Sequence, residues 1–300
     1  MPVPLSPLVA VAIGDAYALP FEYRKGDYEN WAHLNDGAHY ERHTVHAATV
    51  PLGACSDDTQ LSVAVAETML MPHFGNSGVD DNYAYCMGFV RAYRRNPKAG
   101  YSKAMAAAFE RAIAEERTIG AICEELGKGE KSGAAMRTTP LGLIEDLNYV
   151  FRQTELQGQI THARKALLAA DAAGATTHYM YYRLGPRHYL GQWLNKHVGD
   201  HEWNTPWQGP VGSPGMESTH AAITAVMAAT SLRDLLVRCV AFTGDVDTVA
   251  AIAMGAAWGY PDLPNDLPDA LWEGLEASNP AMKTLLIETD AKLMARYPRP

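Results

Sequence analysis

Thr243-Gly244-Asp245-Val246-Asp247-Thr248-Val249-Ala250-Ala251-Ile252-Ala253 joins an acidic, hydroxyl-bearing turn to an apolar stretch of small residues that continues to Trp258. Apolar residues at helical spacing read as a helix, and small side chains allow close helix–helix approach. Far upstream, Ser56-Asp57-Asp58-Thr59 stands before a second such stretch, Leu61 to Met71. Each cluster packs two carboxylates and at least one hydroxyl into four residues. Hard divalent cations such as Mg²⁺ and Mn²⁺ take oxygen ligands of this kind. Four carboxylates converging without a cation repel and raise one another's pKa, and a metal between them turns the repulsion into attraction. Ser, Thr and Asp are also the preferred N-cap residues, so one cluster alone reads as a helix start. Two of them, with the motifs below, read as a two-metal site assembled from both ends of the chain.

The rest of the sequence predicts an all-helical protein. Ser102 to Glu116, Thr161 to Ala173, Thr219 to Ala229 with Thr219 as N-cap, and Pro280 to Tyr297 all carry Ala, Leu or Met at helical spacing. Alternating β-branched runs are scarce. Loops are expected at Gly26 to Gly53, Pro72 to Asp81 and His178 to Gly215. Tyr83, Tyr85 and Phe89 fall in an apolar helical stretch and are expected in the core. No repeat or low-complexity linker divides the chain, and the acidic clusters flank most of it. A single all-α domain over residues 1–300 follows.

Composition narrows the function. The formal net charge of −9 argues against broad binding to nucleic acid or to an anionic membrane. Four cysteines in 300 residues are too sparse for a disulfide scaffold, so buried thiols are expected. No basic leader precedes an apolar run at the N-terminus, and no apolar run is long enough to span a bilayer. A reducing cytoplasm is the expected compartment.

Three further motifs stand between the clusters or ahead of them. Gly14-Asp15-Ala16-Tyr17-Ala18-Leu19-Pro20-Phe21-Glu22 is a helix ending at a proline with an acid beyond it. Lys131-Ser132-Gly133-Ala134-Ala135-Met136-Arg137-Thr138-Thr139-Pro140 offers small residues whose backbone N–H groups can approach a phosphate, or simply a tightly packed turn. Thr161-His162 precedes an Ala-rich helix, where a lone His is more often a capping or core residue.

Taken in their order along the chain, the five motifs resemble the ADP-ribosylglycohydrolase family. The resemblance runs from Gly14 to Gly259. It implies an all-helical bundle with a dinuclear cleft for Mg²⁺ or Mn²⁺, and cleavage of the bond between ADP-ribose and an acceptor. It implies metal ligands at Ser56, Asp57, Asp58, Asp245, Asp247 and Thr248, and a catalytic acid at Glu22 near the scissile bond. Ser132, Gly133, Ala134, Met136 and Arg137 fall on the loop holding the diphosphate and adenosine side. Gly100-Tyr101-Ser102 falls on a loop that wraps ribose and phosphates, and His162 on a residue beside the ligand. The expected partner is an ADP-ribosylated protein or a small ADP-ribose conjugate such as an O-acyl ester. Nucleic acid is disfavoured except as an ADP-ribosylated substrate, and a monomer is expected. A binding or structural relative without activity is the rival from another class, and the intact acids weigh against it.

The sequence departs from the family pattern at three places. Ser56 replaces Thr but keeps its hydroxyl. Ser102 replaces a Gly, which hinders close backbone approach. Lys98 stands where arginine-directed members carry Asp, which puts arginine specificity in question. His33, His39, His43 and His46 lack established zinc spacing. The aromatic-rich segment Tyr179 to Trp207 reads as an insertion packed on the bundle, with an acceptor lid as the alternative.

Overall fold

The computed structural model describes residues 5–44, 50–76, 78–199, 201–278 and 280–299, without side-chain detail at 78, 79, 276 and 278. Its helices follow the apolar and Ala-rich stretches. They are α1 (Pro7–Ala18), α2 (Tyr28–Trp31), α3 (Asp57–Met69), α4 (Gly78–Arg95), α5 (Lys103–Ala114), α6 (Ile119–Leu126) and α7 (Leu147–Gly158). Then come α8 (Lys165–Tyr182), α9 (Leu190–His197), α10 (Gly215–Ala228), α11 (Leu232–Ala241), α12 (Val246–Ala257), α13 (Asp269–Ser278) and α14 (Pro280–Arg296). Among the described residues there is no strand. Isolated β-bridges join Gly129 to His162, Lys131 to Pro214 and Val211 to Gly244. The architecture is an all-α, multi-helix bundle. No helix among the described residues is long and apolar enough to cross a membrane.

Two helices form the centre. Every residue of α1 and of α12 is buried, as expected of helices apolar on nearly every face; their acids, Asp15 and Asp247, are the exceptions. They pack on each other more extensively than any other pair. Gly14 makes the contact: a Cβ there would lie 2.4 Å from the carbonyl oxygen of Ala250. The small residues of α12 thus let the backbones meet, and the loops at the start of α12 and the end of α1 arrive side by side. Around this pair, α3, α8, α10, α11 and α14 complete the bundle.

The start of α1 is capped from the far end of the chain. Ser6, at its N-cap, makes no side-chain bond to the first turn. Instead Asp290 of α14 accepts from the N–H groups of Leu8 at 3.0 Å and Val9 at 3.1 Å, and from the Ser6 hydroxyl. An N-cap carboxylate removed from such donors costs about 1–2 kcal/mol. Asp290→Ala should therefore lower the free energy of urea unfolding by about that much. An unchanged midpoint and slope would show that water caps α1 equally well.

Some sequence expectations shift. α10 begins at Gly215, so Thr219 is an interior helical residue whose hydroxyl donates to Ala169 O at 3.4 Å; Pro214 at the N-cap position ends the preceding loop. α8 starts after Arg164, which sits at φ +53°, and runs on through Tyr182. Thr176 and Thr177 extend it by donating to the carbonyls of Ala172 and Ala173, so these hydroxyls do not break the helix. The expected loop after His178 consequently begins only at Arg183 and itself contains α9. Tyr85 and Phe89 are buried, whereas Tyr83 is 57% exposed.

Candidate active site

The first acidic cluster is set by α1. Asp15 is wholly buried, and its Oδ2 accepts from Ser56 N at 2.8 Å, Thr59 N at 3.2 Å and the Thr59 hydroxyl at 2.5 Å. Ser56 caps α3, its Oγ accepting from Asp58 N at 3.1 Å. Asp57 and Asp58 occupy the first turn, where the helix dipole favours negative charge.

The second cluster is set by a backbone stitch. Gly244 lies at φ +89°, and a Cβ there would fall 1.8 Å from Val211 O, so only glycine fits. Val211 N donates to Thr243 O, and Asp245 N donates back to Val211 O, both at 3.0 Å. Ser218 of α10 donates to Asp245 Oδ2 at 2.8 Å. Asp247 and Thr248 follow in the first turn of α12.

Glu22 is brought to the second cluster by its neighbour. After a short 3₁₀ turn at Leu19–Phe21, Tyr23 adopts φ +44° and donates its N–H to Gly244 O at 2.9 Å. Carboxylate oxygens of Glu22, Asp245 and Asp247 lie within 4.8 Å of one another. Asp57 and Asp58 face the same cavity but stand outside this tightest group.

That cavity has a volume of about 410 Å³ and is lined by both clusters, Ser56 and Thr248 included. Its other walls carry Gly100, Tyr101 and Ser102, then Ser132, Gly133, Met136, Arg137 and His162. Ala134 is not on the wall; it is buried beneath the loop against Ala166 and Ala170 of α8. Ser102 is the N-cap of α5, its hydroxyl accepting from Met105 N at 3.3 Å, so serine has a structural use at this departure from glycine. The Tyr101 hydroxyl is buried without a hydrogen-bond partner.

Arg137 faces this cavity with little freedom. It is 1% exposed, its Nε donates to Gln157 Oε1, and its Nη2 donates at 2.9 Å to both Gln157 O and Thr161 Oγ1. The guanidinium also sits 4.1 Å from the centre of the Phe89 ring. Thr161 Oγ1 lies 2.7 Å from His162 Nδ1. Arginine has only donors, so Thr161 accepts from it and has its own proton left for Nδ1. Burial, then the charges of Arg137 and Lys131, push the His162 pKa down to about 3, so the ring is neutral.

The acids are pushed the other way. Burial first, then Asp245 and Asp15, raises Glu22 to about 7. Burial first, then chiefly Asp15, raises Asp57 to about 8. Asp58 and Asp247 are held well above the ordinary carboxylate range by burial and by neighbouring acids. Asp245 is raised less, because the hydroxyls of Ser218, Ser132 and Thr248 bond to it. The Oδ1 atoms of Asp15, Asp58 and Asp247 are buried and unpartnered. An all-oxygen donor set with orphaned, mutually repelling carboxylates fits a hard divalent cation, and the group of Glu22, Asp245 and Asp247 can hold one.

The sequence matches the family profile described as ADP-ribosylglycohydrolase over residues 6–296. The chain belongs to the ADP-ribosylglycohydrolase family. A solved structure titled "ADP-ribosylglycohydrolase-related protein complex" is similar, with a TM-score of 0.69 and 22% identity over 96% of this chain and 97% of that one. At that identity the likeness speaks for the fold. A comparison with curated proteins finds no match. The ADP-ribosylglycohydrolase motifs Gly14–Glu22, Ser56–Thr59, Lys131–Pro140, Thr161–His162 and Thr243–Ala253 all contribute residues to the cavity or directly support it. Asp15, Tyr23, Lys131, Ser213 and Ser218 also line or support it, although sequence reasoning gave them no role. Asp15 stood inside a quoted motif, and Lys131 began one. Ser218 carried no signal, because its use depends on α10 crossing α12. Of the four loop histidines, His39 pairs with Asp36 at 2.7 Å, and His46 lies outside the described residues.

The raised acids give a pH prediction. A carboxyl raised in the folded state adds stability that is full below its unfolded pKa, near 4, and is lost as pH rises through its folded pKa. With Asp15 at about 6, Glu22 at about 7 and Asp57 at about 8, the metal-free protein should lose stability between about pH 4 and 8, from the unfolded pKa to the highest of these values. Mg²⁺ needs the deprotonated acids, so its effect on Tm should grow over the same interval. Scanning calorimetry with and without Mg²⁺ checks this; a metal effect that shrinks as pH rises would contradict it.

Proposed function

We propose that this protein hydrolyses the bond between ADP-ribose and an acceptor, most directly a modified protein side chain, with two Mg²⁺ or Mn²⁺ ions at the acidic clusters. Family membership gives a hydrolase acting on ADP-ribose-related substrates. The observation that carries the finer reading is the convergence of both acidic clusters and Glu22 on one cavity with the small-residue loop at Ser132–Met136. This convergence also supports one working unit spanning residues 1–300.

Ser56, Asp57, Asp58, Asp245, Asp247 and Thr248 would hold the ions. When bound, the ions supply positive charge that orients ribose hydroxyls and acidifies a water. Asp15 and Ser218 keep the two acidic turns aimed at the cavity. Glycosyl cleavage passes through an oxocarbenium-like state, and the carboxylates stabilise the positive charge that develops on the sugar. Glu22, raised to about 7, is suited to take a proton from the attacking water near neutral pH. His162, kept neutral by burial, lines the same cavity. The Tyr101 hydroxyl is buried at the cavity wall without a protein partner. Gly100, Ser132, Gly133 and Met136 give the diphosphate and adenosine portion a closely fitting wall.

The test is release of ADP-ribose from a panel of defined substrates with Mg²⁺ or Mn²⁺. The panel includes arginine- and serine-linked peptides, an O-acyl ester and an ADP-ribosylated oligonucleotide. Metal-dependent release from at least one supports the proposal. No release from any, by protein that binds the metal, would overturn it.

A further inference from the structure

We propose that Lys131 is the residue that meets the diphosphate charge of the ligand; this rests on the ADP-ribose reading above. The inference comes from the cations on the cavity wall. Lys131, Arg137 and His162 are the basic residues lining it among the described residues. Arg137 is bound to Gln157 and Thr161 and lies over Phe89. His162 is neutral. Lys131 is left: it is exposed at the cavity wall and takes part in no ion pair among the described residues.

The backbone that carries Lys131 is clamped on both sides. It bridges Pro214, Ser132 N donates to Ser213 O at 3.0 Å, and Gly215 N donates to Glu130 O at 3.0 Å. A long, unpaired side chain is therefore displayed from a fixed point. Its charge is felt by Asp245 and by His162, which line the same cavity. Even with ions at the acidic clusters, a diphosphate beside the Ser132–Met136 loop gains from a cation at the start of that loop, and a lysine is a suitable point charge for phosphate. The backbone N–H groups of the Ser132–Met136 loop carry no net charge and cannot supply that term.

Titration calorimetry with ADP-ribose in Mg²⁺ tests this on the wild type, Lys131→Met and Lys131→Arg. At about 0.05 M NaCl, Lys131→Met should bind about tenfold more weakly, and the gap should narrow at about 0.5 M NaCl, where charges are screened. Lys131→Arg should restore most of the affinity, and Mg²⁺ affinity without ADP-ribose should not fall in either variant, because Lys131→Met removes a positive charge near the acids. Equal affinity in wild type and Lys131→Met would overturn the inference. So would a loss that tracks weaker Mg²⁺ binding and ignores salt, because Lys131 would then act through Asp245. A wild type that binds Mg²⁺ but not ADP-ribose would remove the underlying reading, and the inference with it.

Discussion

Asp247→Ala should abolish turnover while leaving the protein folded, and without metal it should be no less stable than the wild type. Asp247 is 5% exposed, and its Oδ1 has no hydrogen-bond partner. Burial, Glu22, Asp58 and Asp245 all oppose its charge. A carboxylate in that position destabilises the metal-free fold, so its removal relieves repulsion. With the divalent ion present the same carboxylate becomes attractive, and its loss leaves the site short of charge. Loss of a supporting contact to a metal ligand costs roughly 10–100-fold, so loss of a ligand should exceed that. Two measurements separate the roles: Tm in chelator, expected equal or higher, and ADP-ribose release at limiting Mg²⁺, expected to fall by more than about 100-fold. Near wild-type turnover by folded Asp247→Ala would remove it from the metal site.

Glu22→Gln should act on chemistry more than on binding. The amide keeps the size and part of the hydrogen bonding but cannot take a proton. General base catalysis contributes about 10²–10⁴-fold, and kcat should fall within that range with ADP-ribose still bound in Mg²⁺. Because Glu22 shares its 4.8 Å group with Asp245 and Asp247, Mg²⁺ affinity is the second readout. If kcat is kept and only ligand or metal affinity falls, Glu22 is a positioning residue, and water activation moves to one of the aspartates.

What the sequence made legible was contiguous. Asp57-Asp58 and Asp245-Val246-Asp247 each place their acids in one helix start, so the motif and the geometry coincide. Asp15 was harder to assign: within its own helix it is one acid on an apolar surface, and its role exists only because α3 begins against it. Ser218 is further removed, since nothing near it in sequence marks a partner on α12. Helix boundaries failed where a residue type imitates a signal. Thr219 looks like an N-cap, yet Pro214 starts the helix earlier and the hydroxyl turns to Ala169. Tyr83 was expected inside because α4 is apolar there. Tyr85 and Phe89, four apart, share the inner face, while Tyr83 lies about 200° around the helix from Tyr85 and faces out.

The cap on α1 has a consequence for how the protein is made. Leu8 and Asp290 are 282 positions apart, yet the helix at the centre of the bundle is not finished until they meet. Its main partner, α12, also lies in the last fifth of the chain. At roughly 5–20 residues per second on the ribosome, the N-terminal helix waits many seconds for either. During that interval a segment apolar but for Asp15 is without its proper cover, and α1 is the stretch on which a chaperone would be expected to act. A truncation before α12 would leave the same surface unprotected permanently, so aggregation of such fragments should begin at α1.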